Sequence, residues 1–179
     1  MIPIFLSLTM NHGDLEFFTV TCLNWQTLLK EDKHKQIILE SLAFLVREER
    51  IWLYAYVIMP NHMHILWRKQ NDWIEKNVQQ SFLKYTAQQI KFNLLENHPN
   101  ELTHYTSTQS DRQFHFWERR AYRARILTRA VAEQKINYIH FNPVKAGLCE
   151  LPEDYLFSSA QYYYLNQHNP LLTHYMEHL

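Results

Sequence analysis

The sequence predicts an α+β sandwich, an antiparallel sheet with helices packed on one of its faces. Three observations carry the prediction. Runs rich in β-branched and aromatic residues alternate with longer stretches whose apolar residues recur at helical spacing. Two of the β-prone runs, 52–60 and 62–67, meet at Pro60-Asn61, a connection that suits only an antiparallel pair. The elements together read βαββαβα, the order of a sheet with helical crossovers.

The first eleven or twelve residues read as an arm or an edge strand. Met1-Ile2-Pro3-Ile4-Phe5-Leu6-Ser7-Leu8 lacks a basic leader and is too short for a signal peptide. Residues 17–23, Phe-Phe-Thr-Val-Thr-Cys-Leu, are a strand by composition. Residues 32–50 read as a helix, with Ile37, Ile38, Ser41, Leu42, Leu45 and Val46 on one face. The strands 52–60 and 62–67 follow.

A long helix is predicted over 72–95. Asp72 is its candidate cap, and Ile74, Val78, Phe82, Tyr85, Ile90 and Leu94 form its apolar stripe. Residues 97–112 are polar and turn-rich, the best loop candidate and the place where disorder is expected. Residues 114–126 favour a strand, although the arginines blur its alternation. A second long helix over 129–142 is expected to stop before Pro143, because a residue preceding proline is pushed out of helical geometry. Gly147 suits a C-terminal cap. No internal repeat or low-complexity tract interrupts the chain.

With 179 residues, 26 of them aromatic, the chain is long enough for one domain with a sizeable core. Gly13 and Gly147 are the only glycines, which excludes Walker and G-x-G-x-x-G phosphate loops. Cys22 and Cys149 have no metal-like spacing, so reduced thiols in a cytoplasmic protein are expected. No apolar run reaches membrane-spanning length. The net charge is zero, yet it is segregated. Residues 51–149 carry thirteen Lys/Arg against seven Asp/Glu, and the acidic C-terminal segment 150–179 carries four acids and no Lys/Arg. A local basic surface is compatible with that distribution.

Three groups of residues could carry chemistry. In the strand 62–67, His62 and His64 share one face and Met63 takes the other. Two imidazoles side by side make a ready pair of metal ligands. They are also, more plainly, a hydrogen-bonded pair, and two ligands do not make a site. On the helix 129–142, Tyr138 and Asn142 lie one turn apart on one face. A phenol is a nucleophile for phosphoryl transfer when a metal polarises the phosphate, and an amide oxygen can supply a missing third ligand. Tyrosine plus metal, without Cys or Ser, is the logic of enzymes that nick single-stranded DNA. The plain alternatives are a core tyrosine and a helix-stopping asparagine. The third group is Phe114-His115-Phe116-Trp117-Glu118-Arg119-Arg120-Ala121-Tyr122-Arg123-Ala124-Arg125. Aromatics interleaved with four arginines suit base stacking with phosphate contacts, and they equally suit a strand with one solvated face. Lys84 is compatible with a further phosphate contact.

These motifs resemble those of the IS200-like tyrosine transposase family, whose members carry a His-hydrophobe-His motif, and in particular its REP-associated branch. The resemblance spans most of the chain. Met59-Pro60-Asn61-His62-Met63-His64 resembles the metal-binding strand, and Phe82-Leu83-Lys84-Tyr85-Thr86 the long helix. Phe116-Trp117-Glu118-Arg119-Arg120-Ala121-Tyr122 resembles the strand that follows. Tyr138-Ile139-His140-Phe141-Asn142-Pro143-Val144-Lys145-Ala146-Gly147-Leu148 resembles the tyrosine helix and its turn, and Ser158-Ser159 with Tyr162 the C-terminal segment.

The resemblance implies a ferredoxin-like or RRM-like sheet. It implies that His62, His64 and Asn142 bind a divalent ion, Mg²⁺ or Mn²⁺, and that Tyr138 attacks a phosphodiester. The product would be a 5′-phosphotyrosine link and a free 3′-hydroxyl, reversible for strand joining. The implied substrate is single-stranded DNA with an imperfect hairpin, bound in part by Lys84, Arg119, Arg120, Arg123 and Arg125, and the implied state is a monomer or homodimer. Because imidazoles favour borderline metals, Mn²⁺ should serve at least as well as Mg²⁺. Two features depart from the family: the length and composition of the loop 97–112, which imply a different guide-sequence recognition, and a low total charge that leaves DNA affinity to the surface around 112–129. A catalytically silent hairpin-binding protein is the alternative. A replication initiator or relaxase fits the chain length and the Asn142-Pro143-Val144-Lys145-Ala146-Gly147 block less well.

Overall fold

The structure is a computed structural model that describes residues 12–108, 110 and 113–178; the expected N-terminal arm therefore lies almost wholly outside the described residues. The elements are β1 (His12–Thr21), α1 (Asp32–Arg47), β2 (Ile51–Ile58), β3 (His62–Gln70), α2 (Val78–Asn97), α3 (Pro99–Leu102), β4 (Tyr122–Ile126), α4 (Arg129–Lys145) and α5 (Ala160–Tyr164). Four strands form one antiparallel sheet in the order β2-β3-β1-β4. Each helical crossover thus skips one strand, which is the ferredoxin-like arrangement.

The sheet is apolar on both faces. Phe18, Val20, Met63, Ile65 and Trp67 face a core shared with Ile38, Leu42 and Leu45 of α1 and Phe82, Ile90 and Leu94 of α2. Leu15, Phe17, Val57 and Leu66 face the opposite way, onto Ala132, Ile136 and Ile139 of α4. The placement of all helices on one face is therefore corrected: it holds for α1 and α2, while α4 covers the other face. The nearly unbroken apolar run of β2 follows from this, since a strand buried on both sides needs no polar alternation. A register shift between Leu53 and Ala55 moves the α1–α2 face from odd to even positions.

Several boundaries differ from expectation for identifiable reasons. The helix α2 starts at Val78, because Asn77 caps it by accepting from the Gln80 backbone N–H at 3.1 Å; Asp72 belongs to a separate 3-10 turn. Tyr85, placed in the apolar stripe, is exposed. Within 97–112, Pro99–Leu102 and a following 3-10 turn are helical, and Leu102 and Tyr105 anchor them in the core. Of the predicted strand 114–126 only Tyr122–Ile126 pairs continuously. Phe114 and Trp117 form isolated bridges, because Phe116 and Trp117 are consecutive and both buried, which breaks a period of two.

Helix α4 runs through Pro143 to Lys145. Proline costs one backbone bond there, but the final turn closes tightly. The Gly147 N–H donates to the Val144 carbonyl and the Leu148 N–H to the Pro143 carbonyl, with Gly147 at φ 69°. This is a Schellman cap, and it needs a residue tolerant of left-handed backbone. After α4 the chain returns to cover the outer edge of β2. The Ile58 N–H donates to the Phe157 carbonyl, the Ser159 N–H to the Tyr56 carbonyl and the Thr173 N–H to the Leu53 carbonyl. The acidic C-terminal stretch is thus packed onto the sheet and caps an edge that would otherwise be open to pairing.

Candidate metal and nucleophile site

The hairpin between β2 and β3 is closed by the Met59 N–H donating to the His62 carbonyl, which fixes the register of β3. His64 then pairs with Val57 on one side and Thr19 on the other, and Thr19 pairs with Tyr122. These side chains, with His62, lie on the face that α4 covers. The rings of His62 and His64 have centroids 4.8 Å apart. From α4, Asn142 reaches both: its Oδ1 is 3.2 Å from His62 Nε2 and its Nδ2 is 3.1 Å from His64 Nε2. Tyr138, one turn earlier, has its ring 5.0 Å from that of His64 and 6.1 Å from that of Phe17. All four residues are therefore neighbours.

The hydrogen bonds behind the rings decide where their protons sit. Asn61 Oδ1 is 2.7 Å from His62 Nδ1, and an amide oxygen only accepts. His62 therefore carries its proton on Nδ1. The Asn142 amide N–H donates to His64 Nε2, so the His64 proton is also on Nδ1, toward Thr19 Oγ1 at 2.7 Å. Both Nε2 lone pairs are thus directed to one point beside Asn142. Burial pushes the His62 pKa down against a smaller upward pull from the Asn142 contact. Burial, reinforced by His62 and Lys135, pushes His64 down to about 3. Both rings are neutral near pH 7, so the contact of His62 Nε2 with Asn142 Oδ1 brings two lone pairs together with no proton between them.

That arrangement fits a divalent cation. Ligand bonds of about 2.1 Å at right angles put neighbouring donor atoms roughly 3 Å apart, close to the 3.2 Å found here. Among the described residues no three of His, Cys, Asp or Glu come together, so a third protein donor to such an ion would have to come from another group, and the Asn142 amide is the one in reach. Lys135 and Lys145 each place an ammonium 5.7 Å from the centre of the Tyr138 ring. The phenol of Tyr138 is two-fifths exposed. It is thus accessible beside two cations, a setting for an incoming phosphate.

The basic residues divide. Lys84, Arg119, Arg120 and Arg123 line a single open groove of about 1170 Å³ between α2 and residues 114–123, on the α2 side of the sheet. Arg125 is not among them; it pairs with Asp14 at 2.8 Å. Sequence reasoning missed Thr19 and Asn61 as partners of the histidines, and Lys135 and Lys145 as neighbours of Tyr138. Asn61 sat inside the motif but read only as a turn. Thr19 has no local signal at all, since its role comes from strand register. Lys135 carried a signal, three residues before Tyr138 on one helix.

No protein-family model matches the chain, and no curated protein does. Solved structures do. One is of a REP-associated tyrosine transposase bound to a REP hairpin, similar over 96% of this chain and 90% of that one, with a TM-score of 0.63 and 20% identity. Another is of a protein described as a transposase, from Deinococcus radiodurans R1, covering 78% of this chain and 95% of that one at a TM-score of 0.41 and 13% identity. The first of these likenesses extends over the sheet, α4 and the C-terminal segment alike, and the chain therefore has the fold of a REP-associated tyrosine transposase.

Proposed function

We propose that the chain is a metal-dependent enzyme of the tyrosine transposase type that nicks and rejoins single-stranded DNA bearing a hairpin. The observation that carries this reading is the convergence of His62 Nε2, His64 Nε2 and Asn142 Oδ1 one helical turn from an accessible Tyr138. The fold likeness to a hairpin-bound transposase supports it, as does a groove lined by four cations.

In this reading His62, His64 and Asn142 would hold Mg²⁺ or Mn²⁺, which would supply charge withdrawal from the scissile phosphate. Asn61 and Thr19 keep the two imidazoles in the tautomer that exposes Nε2. The Tyr138 oxygen attacks phosphorus. A phosphorus–oxygen bond forms between the phenol and the 5′-phosphate of the downstream fragment, the phenol proton passes to water, and the bond from phosphorus to the 3′ oxygen of the upstream fragment breaks. That oxygen leaves as a 3′-hydroxyl after taking a proton. Lys135 and Lys145 stabilise the negative charge of the phosphate held beside the ring. Reversal with another 3′-hydroxyl rejoins the strand. The protein works as a monomer or homodimer; no described helix is long and apolar enough to cross a membrane.

The test uses end-labelled single-stranded oligonucleotides from the flanks of the gene, each with its hairpin, and Mn²⁺. Wild type is expected to yield a protein–DNA adduct stable to denaturation, mapped to Tyr138. Tyr138→Phe keeps the ring and its packing and is expected to bind the DNA without forming the adduct. Hairpin binding by wild type with no adduct in either metal would instead establish a silent hairpin-binding protein. An adduct on Tyr85 or Tyr122 would reassign the nucleophile.

A further inference from the structure

Trp25 is a large apolar side chain left 63% exposed, and its ring lies 6.0 Å from that of His62. None of the chemistry above uses it. A single exposed apolar residue needs no explanation, but this one is held in place. Asn24 and Trp25 both have left-handed backbone, with φ of 52° and 58°. Asparagine tolerates that region. For a residue as bulky as tryptophan it is an outlier, which persists only where neighbouring bonds over-determine it. They do so here. The Leu23 N–H donates to the Phe116 carbonyl at 2.8 Å, the Asn24 N–H to a Glu118 carboxylate oxygen at 2.7 Å and the Trp25 N–H to the Cys22 carbonyl at 3.0 Å. The Cys22 N–H donates to the Asn61 carbonyl at 2.9 Å, which ties the turn to the residue before His62. Consecutive N–H groups from Cys22 to Trp25 thus fix an open indole at the rim of the histidine pair. Core packing does not account for the strain, since Trp25 belongs to neither core of the sheet.

We infer that Trp25 is a stacking platform for the base of the nucleotide on the 5′ side of the scissile phosphate. Every base has a π face, and an indole offers a large, flat surface to cover it. The side of the phosphate follows from the arrangement of the rings. Tyr138 packs on His64 at 5.0 Å and Trp25 on His62 at 6.0 Å, while the two histidines are 4.8 Å apart. Nucleophile and indole therefore flank the histidine pair from its two ends. In a displacement at phosphorus the attacking and leaving oxygens lie roughly in line. The leaving 3′ oxygen and its nucleotide thus face away from Tyr138, toward Trp25. Stacking holds that nucleotide after cleavage, when its 3′-hydroxyl must stay in place for rejoining. The inference rests on the proposed nicking reaction and adds to it a contact that reads no sequence.

The experiment first maps the cleaved bond with wild type and Mn²⁺ on hairpin oligonucleotides. Binding is then measured in the Tyr138→Phe protein, with and without Trp25→Ala. With Trp25 present, an abasic nucleotide on the 5′ side of that bond is expected to weaken binding roughly five- to a hundredfold, the range of one base–aromatic stack. With Trp25→Ala the same abasic nucleotide should cost under about twofold, because the stack it removes is already gone. On intact DNA, Trp25→Ala should weaken binding alike for all four bases at that position. The loss should be the same factor at about 50 and 200 mM salt, since an indole carries no charge. Trp25→Phe keeps a ring and should recover most of it. The side chain is exposed and the left-handed backbone disfavours any non-glycine residue, so both variants should fold, which melting followed by circular dichroism checks. An equal abasic penalty with and without Trp25, or one coupled to Trp25 only on the 3′ side of the bond, would overturn the inference and leave the transposase reading standing. Absence of cleavage by wild type would overturn both.

Discussion

The hydroxyl of Ser159 lies 2.8 Å from Nε2 of His140, and this hydrogen bond ties α4 to the sheet. His140 is fully buried, two residues after Tyr138 and two before Asn142. It therefore points to the opposite side of the helix from both. Ser159 also accepts from the Tyr56 backbone N–H at 3.0 Å. One hydroxyl thus joins α4 to β2, and with it sets how far Asn142 reaches over His62 and His64. Ser159→Ala strands a buried N–H and a buried ring nitrogen, so it is expected to destabilise the fold by about 1–3 kcal/mol. Ser158→Ala loses only a local bond to the Ala160 N–H and should cost less. Equal urea midpoints for the two variants would refute the latch.

The same histidine predicts a pH dependence. Burial lowers the His140 pKa to about 4 from an ordinary 6.5. The unfolded chain therefore binds the proton more readily than the folded one. The stability that depends on neutral His140 is complete above pH 6.5 and is lost as pH falls from 6.5 toward 4. The change is about 3 kcal/mol, and His64, depressed to about 3, acts in the same direction. His140→Gln keeps a partner for Ser159 but takes no proton. In chelator, its urea midpoint should decline less than that of wild type between pH 7.5 and 4. Parallel declines would mean that other groups dominate.

The cations of the groove make a separate prediction. Lys84, Arg119, Arg120 and Arg123 have no ion-pair partner among the described residues, whereas Arg125 is engaged by Asp14. Replacing Arg119, Arg120 and Arg123 by Ala should lower the slope of log affinity against log salt by about 0.7 for each phosphate no longer neutralised. Arg125→Ala should change it less. If the triple variant keeps the wild-type slope, these arginines are only solvated surface.

How much of this was legible in the sequence depends on the range of each interaction. The βαββαβα order, the shared face of His62 and His64, and the one-turn spacing of Tyr138 and Asn142 are local patterns, and each is found where its period puts it. The second helical layer was not legible, because an apolar strand face does not say which helix covers it. Nor was the run of α4 through Pro143, where a Schellman cap outweighs a local preference. Thr19, Ser159 and the Asp14–Arg125 pair depend on strand register and on a chain return more than a hundred residues long. No period in the sequence encodes those.

The least legible of these residues gives the sharpest test of the metal reading. Thr19 Oγ1 is the partner of His64 Nδ1 at 2.7 Å, reached across the β1–β3 pair. It touches neither Tyr138 nor Asn142 in any hydrogen bond. Its effect on a cation could come only through His64, by fixing the ring and the Nδ1 proton so that Nε2 keeps its lone pair for a cation. Thr19→Val keeps shape and β-branching and removes the hydroxyl. The fold should lose about 1 kcal/mol, the net worth of one hydrogen bond. Mn²⁺ affinity should fall about 10- to 100-fold, as expected when the partner behind a metal-bound histidine is removed. Thr19→Ser, which restores the hydroxyl, should recover most of it. Calorimetric titration of the DNA-free protein with Mn²⁺ reads this directly, without any cleavage step. Wild-type Mn²⁺ affinity in Thr19→Val would show that His64 needs no fixed tautomer, and that the pair behind the rings is only structural.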